Sequence, residues 1–261
     1  MIERADDVLA GIEVVLHMFP EAKGTIAIED NKPEAIKLFK EKNKSERISI
    51  LSMETKYPQG GEKQLVFACT SKEIPSGKLP MEIGCIVQNV STIAAIHKAV
   101  NEGLPLIQKV VTIAGGAAAS PGNYEARLGM TFRDLISAAG GLKSDPYKIV
   151  VGGPMMGVAI GSLDAPVVKT TSGLLLLTEQ EAKKPPEENC FRCGKCVAIC
   201  PIGLVPTDLT RTAIKRSPLF IEFNGMDCIS CASCSYICPA HRNIARHIID
   251  MRKELREKQS A

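Results

Sequence analysis

Two copies of one cysteine pattern constrain this chain more than anything else in it. The first is Cys190-x2-Cys193-x2-Cys196-x3-Cys200-Pro201, and the second is Cys228-x2-Cys231-x2-Cys234-x3-Cys238-Pro239. Four thiols crowded into residues 190–200 are not the arrangement of a structural zinc site, which uses separated cysteine pairs. They match the bacterial ferredoxin run, in which thiolates bind [4Fe–4S] clusters. Three closely spaced cysteines wrap one cluster, the fourth sits on the following helical turn, and the proline after it ends the wrap. In two-cluster ferredoxins the fourth cysteine of each run ligates the other cluster. The expected metal ligands are therefore Cys190, Cys193, Cys196 and Cys238 on one cluster, and Cys228, Cys231, Cys234 and Cys200 on the other.

The rest of the chain sets the context for those thiols. It begins Met1-Ile2-Glu3-Arg4-Ala5-Asp6-Asp7, which is not the basic-then-apolar start of a secretory signal. Its apolar runs, such as Leu174-Leu175-Leu176-Leu177, are far short of the ~18 residues needed to span a bilayer. A cytosolic protein, soluble or peripheral to a membrane, is expected. There thiols stay reduced, and clustered cysteines read as metal ligands rather than disulfides. The two cysteines outside the runs, Cys69 and Cys85, read as small core residues. With 45% hydrophobic residues in 261, there is ample material for a packed core. A net charge of +3, only 4% aromatic residues and no tryptophan give no equipment for nucleic-acid binding, and none is expected.

The periodicity divides the chain into three. In the first third, Val8, Ile12, Val15 and Leu16 recur at helical spacing, and 24–28 and 47–51 read as short buried strands. Pro33 opens a helix with Ile36 and Phe39 inward, and 93–100 is helical with Ile93, Ile96 and Val100 on one face. This alternation predicts an α/β layer around a parallel sheet. From about Leu106 the pattern changes to strands at 109–113, 148–151, 166–169 and 174–178, with one helix that Thr131 starts and Gly140-Gly141 closes. One short helix among several strands predicts a small α+β unit of β-grasp type. Lys183-Lys184-Pro185-Pro186-Glu187-Glu188 reads as a polar linker. Beyond it, the 27 residues between Cys200 and Cys228 hold a helix around 207–216, which predicts a helical dicluster domain. The chain ends in a basic amphipathic helix with Ile244, Ile248 and Leu255 on one stripe. That helix either packs on its own domain or docks a partner.

Two clusters in one small domain make a wire, since each carries one electron. A wire needs a donor and an acceptor, and the remaining residues are expected to supply at least one. Several further segments bear on this. They are 28–36 (Ile-Glu-Asp-Asn-Lys-Pro-Glu-Ala-Ile), 57–65 (Tyr-Pro-Gln-Gly-Gly-Glu-Lys-Gln-Leu), 84–92 (Gly-Cys-Ile-Val-Gln-Asn-Val-Ser-Thr) and 152–157 (Gly-Gly-Pro-Met-Met-Gly). Together with the cysteine runs, they make nearly the whole chain resemble the C subunit of the Rnf (Rsx) ion-translocating electron-transport complex, which oxidises NADH at the cytoplasmic face of the membrane.

The resemblance implies an α/β flavoprotein-like module over 1–105 that binds FMN and NADH, a β-grasp domain of SLBB type over 106–180, and a mainly helical dicluster ferredoxin domain over 186–261. It implies cofactor-binding roles for Glu29, Asn31, Tyr57, Gly60, Gly61, Glu62, Lys63, Asn89 and Thr92. The glycines let backbone approach a ring or phosphate, Asn89 and Thr92 offer hydrogen bonds, and Lys63 offers a cation. In the related flavoprotein subunit of complex I the corresponding segments read Tyr-x-x-Gly-Glu-Glu and Asn-Asn-Val-Glu-Thr. Here Gly61 and Ser91 stand where glutamates stand there, which leaves the acidic roles open.

Plainer readings stand beside these: 57–61 is also an ordinary turn, Asn89 and Thr92 also suit the start of the helix, and 152–157 also suits a tight turn. His17, His97, His241 and His247 share no metal-ligand spacing, and Glu125, Asp134 and the other scattered carboxylates offer no acid–base pair. Family members carry a longer N-terminal region with a barrel-like domain and a glycine-rich loop for the flavin phosphate. No such loop precedes Tyr57: the chain reads as the latter part of a longer flavoprotein, or as one whose loop another chain supplies, or as one that has lost flavin binding. The resemblance implies a peripheral protein on the cytoplasmic face of the inner membrane, passing electrons between NADH/FMN and two [4Fe–4S] clusters. Its expected partners are the other subunits of the complex and ferredoxin-type carriers. The alternative expectation is a flavin-free relay delivering electrons to a reductase such as an amino-acid reductase.

Overall fold

The computed structural model describes residues 1–260, with side chains through residue 258. The chain divides into two compact units, Met1–Leu106 and the remainder. In the first unit α1 (Ala5–Met18), β1 (Gly24–Glu29), α2 (Pro33–Lys42), β2 (Ile48–Met53), α3 (Glu62–Thr70) and α4 (Val90–Asn101) follow one another. Strands β1 and β2 pair in parallel from Gly24↔Ile48 to Glu29↔Met53, with α2 as the crossover between them. Each helix start carries a local reason. Asp6 and Asp7 lie in the first turn of α1, Pro33 opens α2, and the Asn89 side chain accepts from Ser91 N–H at the start of α4. The Arg47 guanidinium donates to the carbonyls of Leu16, Phe19 and Ala22, satisfying the last carbonyls of α1 as it enters the turn to β1.

The core of this unit gathers Val8, Leu16, Ile26, Ile28, Phe39, Ile48 and Ile93. Helices α1 and α4 pack closely enough that only glycine fits at position 11, where a Cβ would stand 2.1 Å from the Ile93 carbonyl oxygen. Gly11→Ala must push α4 away, and we expect it to cost about 3 kcal/mol, at the upper end for overpacking, in denaturant unfolding of this unit. The stripe expected on α4 is corrected at one end. Ile93 is buried, but Val100 is 64% exposed. Gly11 faces Ile93 and Asp7 faces His97, so the two helices run antiparallel and Val100 projects past the start of α1.

The second unit begins with a five-stranded sheet of order β4-β3-β7-β5-β6. Its strands are β3 (Gln108–Ala114), β4 (Gly122–Arg127), β5 (Lys148–Val151), β6 (Val158–Ile160) and β7 (Gly173–Leu177), and α5 (Phe132–Ala138) follows β4 in the chain. Strands β3 and β7 are parallel and the other pairs antiparallel. A mixed sheet with one helix packed on it is the expected β-grasp arrangement. Phe132, Leu135 and Ile136 of α5 bury against Val111, Ile113, Leu174 and Leu176.

Two details differ from expectation. Residues 166–169 form no strand: Pro166 makes a single bridge to Thr131, Val167 drops into the core, and the Thr171 hydroxyl then closes a turn by accepting from Val168 N–H. Strand β4 gives no strand signal in the sequence, because its polar edge sequence Gly-Asn-Tyr-Glu-Ala-Arg shows the sheet only Tyr124 and Ala126. After α6 (Glu179–Ala182), which has a full capping box between Thr178 and Glu181, the chain loses regular structure. It then forms α7 (Lys195–Ala198), α8 (Pro206–Ile214), α9 (Leu219–Glu222), α10 (Ser233–Tyr236) and α11 (Ile244–Ser260). The end of the expected linker is tied into this helical part, since Glu188 N–H donates to the Ala240 carbonyl and Asn243 bonds the Glu187 carboxylate. The C-terminal helix packs Ile244, Ile248 and Met251 on Leu209 and Phe220, which favours the first of its two expected roles. Among the described residues, no helix is long and apolar enough to cross a membrane.

Candidate metal centre

The two cysteine runs fold the same way. Arg192 and Gly194 have φ of 59° and 76°, and Ser230 and Ala232, at the same places in the second run, have 60° and 63°. Such left-handed residues turn successive backbone N–H groups toward one concavity. Each run then enters a one-turn helix, α7 or α10, that carries its third cysteine, Cys196 or Cys234. Gly194 adopts this conformation freely, whereas Ala232 pays a steric penalty. We expect Ala232→Gly to raise stability by about 1 kcal/mol and Gly194→Ala to lower it by a similar amount, measured by thermal unfolding of the loaded protein.

The fourth cysteines cross over. One pocket is lined by Cys190, Cys193, Cys196 and Cys238, and a second by Cys200, Cys228, Cys231 and Cys234. The sulfur neighbours agree, because Cys196 feels Cys238 and Cys190, while Cys234 feels Cys228, Cys231 and Cys200. The duplication extends into the helices. Each second-run cysteine lies 38 residues after its counterpart (228 − 190), and so do the pocket-lining helix residues. Thr207 and Thr210 of α8 line the first pocket, and Ala245 and Ile248 of α11 line the second (245 − 207 and 248 − 210).

The two pockets differ in surroundings. The first is open, with Cys190 and Cys193 exposed and Arg192, Lys195, Lys215 and Arg242 around it. The second is closed in by Ile202, Leu204, Leu209 and Ile248. Burial pushes the Cys196 and Cys228 thiols up and the Cys234 thiol up to about 12, and neighbouring sulfurs add to it. At Cys228 the Ser230 N–H, 3.4 Å from Sγ, and the Arg252 guanidinium act in the opposite sense. Four sulfurs facing each pocket, costly to ionise alone, suit a group that brings its own positive charge to four thiolates. The donor set therefore fits an iron–sulfur cluster in each pocket.

The residues expected at a nucleotide sit at the edge of the first unit. Glu29 ends β1, Asn31 opens the loop beyond it, and Tyr57–Lys63 follow β2 and lead into α3, which Gly61 precedes. The C-terminal edge of parallel strands is where such folds bind ligands. The two loops are clasped together: Asp30 accepts from the Thr55 N–H and hydroxyl, which holds its carboxyl below the usual range. Tyr57 is 49% exposed, and Gly60 has open space around it. Asn89 and Thr92 open α4, where the Asn89 side chain is engaged as the cap. A cavity of about 550 Å³ lies alongside, between α2 and β2, lined by Asp30, Pro33, Ile36, Lys37, Lys40 and Ser52 rather than by the expected residues. Cys69 and Cys85 are half-buried neighbours rather than core residues, and burial raises Cys69.

Two groupings escape sequence reading because their members are distant in the chain. His97 Nε2 lies 3.4 Å from Glu102 and 4.0 Å from Asp7, tying α4 to α1. Arg252, on the last helix, donates to the Ser230 hydroxyl at 2.7 Å beside the second cysteine run.

Comparison with known proteins gives three family matches in chain order. The Nuo51 FMN-binding domain matches residues 1–98, the SLBB domain 110–159 and the 4Fe-4S dicluster domain 187–242. Among curated relatives, the C subunit of the proton-translocating ferredoxin:NAD(+) oxidoreductase complex of Clostridium ljungdahlii is 43% identical over 98% of this chain and 56% of its own length. The Na(+)-translocating counterpart of Acetobacterium woodii is 43% identical over 80% of this chain and 47% of its own length. The C subunit of the ion-translocating oxidoreductase complex of Yersinia pestis is 43% identical over 80% of this chain and 34% of its own length. The chain thus spans about half the length, or less, of these relatives. Among solved structures, an NAD+-reducing [NiFe]-hydrogenase shares the fold, with a TM-score of 0.59 at 15% identity over 96% of this chain and 52% of that one.

Proposed function

Since the chain belongs to the family of C subunits of ion-translocating ferredoxin:NAD(+) oxidoreductase (Rnf) complexes, we propose that it is the part of such a protein that passes electrons between NADH, by way of FMN, and two [4Fe–4S] clusters. FMN, when bound, takes a hydride from NADH and releases electrons singly, as clusters that accept one at a time require. The observation that carries this reading is the pair of pockets, each lined by three cysteines of one run and the fourth of the other. In it, 1–105 is the flavin and NADH module, 106–180 the SLBB domain and 186–261 the electron-transfer domain. Cys190, Cys193, Cys196 and Cys238 hold one cluster, and Cys200, Cys228, Cys231 and Cys234 the other.

At the nucleotide end, Gly60 and Gly61 let the backbone approach the flavin, and Lys63 faces a phosphate. Glu29, Asn31, Tyr57, Glu62, Asn89 and Thr92 border the ring and its substrate. The protein sits peripherally on the cytoplasmic face of the inner membrane, where it meets the other subunits and a ferredoxin-type carrier.

The flavin-free relay stays as a second reading, because Asn89 already caps α4 and the nearby cavity does not collect the expected residues. One experiment tests both. Anaerobically reconstituted protein is expected to carry about eight irons with matching labile sulfide, two cubanes' worth. Added FMN and NADH then bleach the charge-transfer absorbance. Zinc without labile sulfide overturns the cluster reading. Full loading with no NADH-dependent reduction overturns a flavin and NADH site formed by these residues alone and favours the relay.

A further inference from the structure

The 38-residue duplication is not exact, and one of its breaks lies beside the second cysteine run. Thr207 and Thr210 of α8 match Ala245 and Ile248 of α11, each lining its own pocket. The next position along that face is Ile214 in the first half, which lines the first pocket, and Arg252 in the second (252 − 214 is again 38). An apolar residue beside one set of sulfurs is thus replaced by a cation beside the other. Arg252 is half-buried, and its Nη1 donates to the Ser230 hydroxyl at 2.7 Å. The backbone N–H of that same Ser230 donates to Cys228 Sγ at 3.4 Å. The buried Nε of Arg252 has no hydrogen-bond partner among the described residues. A half-buried guanidinium with one donor unused is a costly arrangement to keep for packing alone.

We propose that Arg252 is a positioning residue that sets the two clusters apart in reduction potential, raising that of the cluster held by Cys200, Cys228, Cys231 and Cys234. Reduction adds one negative charge, and guanidinium stays a cation throughout, so it favours the reduced form of whatever lies beside it. The basic residues around the first pocket, Arg192 and Lys195 among them, are exposed and screened by water and salt. Arg252 acts across protein, where the same charge at the same distance is felt about four times more strongly. It also holds Ser230, and so fixes the amide that bonds Cys228, a second influence of the same sign. The unequal pair gives the wire a preferred resting place for the first electron, in the enclosed pocket.

This inference rests on the cluster reading above, and the test separates the two. Fully loaded wild type, Arg252→Gln, Arg252→Lys and Ile214→Arg are titrated potentiometrically, with the reduced clusters followed by electron paramagnetic resonance. Wild type is expected to show two separated potentials. Arg252→Gln lowers the higher one and leaves the other in place, and Arg252→Lys restores most of the shift. Ile214→Arg, at a position 49% exposed where water and salt screen the added charge, moves the lower one far less than Arg252→Gln moves the higher. Unchanged potentials in Arg252→Gln at full iron content overturn the proposal, as does a fall in the lower potential in place of the higher. If Arg252→Gln does not load, wild type decides: two potentials that coincide overturn the proposal. A wild type without iron and labile sulfide defeats the cluster reading instead.

Discussion

Cys238→Ser is expected to remove the cluster of the first cysteine run and leave that of its own run intact. About four of eight irons are lost. The pairing follows from the pockets, since Cys238 shares one with Cys190, Cys193 and Cys196 while Cys200 shares the other with Cys228, Cys231 and Cys234. A double-variant comparison gives the sharper form. Cys193→Ser combined with Cys238→Ser costs no more iron than either alone, because both act on one site. Cys193→Ser combined with Cys200→Ser costs nearly all of it, although both lie in a single run of eleven residues. If instead the Cys193/Cys200 pair behaves as one site and the Cys193/Cys238 pair as two, the clusters are uncrossed. Iron and labile-sulfide content reads all of these outcomes without any partner protein.

The crossed lining of the pockets is legible in the sequence because two copies of the run match the two-cluster ferredoxin pattern, in which the fourth cysteine reaches across. Elements with strong local signals are equally plain. Pro33, Thr131, the alternating apolar positions of β1 and β3 and the leucine run of β7 place themselves. What stays hidden depends on neighbours far along the chain. Strand β4 offers few apolar residues and is a strand because β3 has an open edge beside it. Residues 166–169 look like a strand locally, yet only Val167 finds a place in the core, and the Thr171 turn stops the pairing. Val100 lies on the apolar stripe of α4 and is exposed because α1 begins too late to cover it. Helix α3 is hidden for a different reason. Its first turn carries Glu62 and Lys63, which draw the eye as ligands, while Gly61 and Val66 mark a helix start and a buried face. Arg252 is invisible without the fold, since nothing on a basic helix singles out one arginine among several until the helix packs and Ser230 is seen to meet it.

Removal of iron is expected to melt the cluster domain and spare the sheet. The domain's buried cluster is small: Cys196, Leu209, Ala213, Phe220, Ile244, Ile248 and Met251, one of them a proposed ligand, with Cys231, Ala240 and Ala245 buried outside it. Three of its helices, α7, α9 and α10, are four residues long, too short to persist without their surroundings. The left-handed Arg192, Ser230 and Ala232 each add strain of about 1–2 kcal/mol. Cluster binding must therefore supply much of the folding free energy, as in other small metal-dependent domains. The sheet of β3 to β7 needs no such help, with twelve buried residues packed between its strands and α5. After chelation under anaerobic conditions, hydrogen exchange is expected to show near-complete loss of protection over 190–240 and unchanged protection in β3, β7 and α5. Phe220→Ala, which empties a fully buried site, adds about 3–5 kcal/mol of instability and brings the loaded domain toward the same state. Protection over 190–240 that survives complete iron removal shows that the apolar core alone holds the domain, and the argument from its short helices and strained loops then fails.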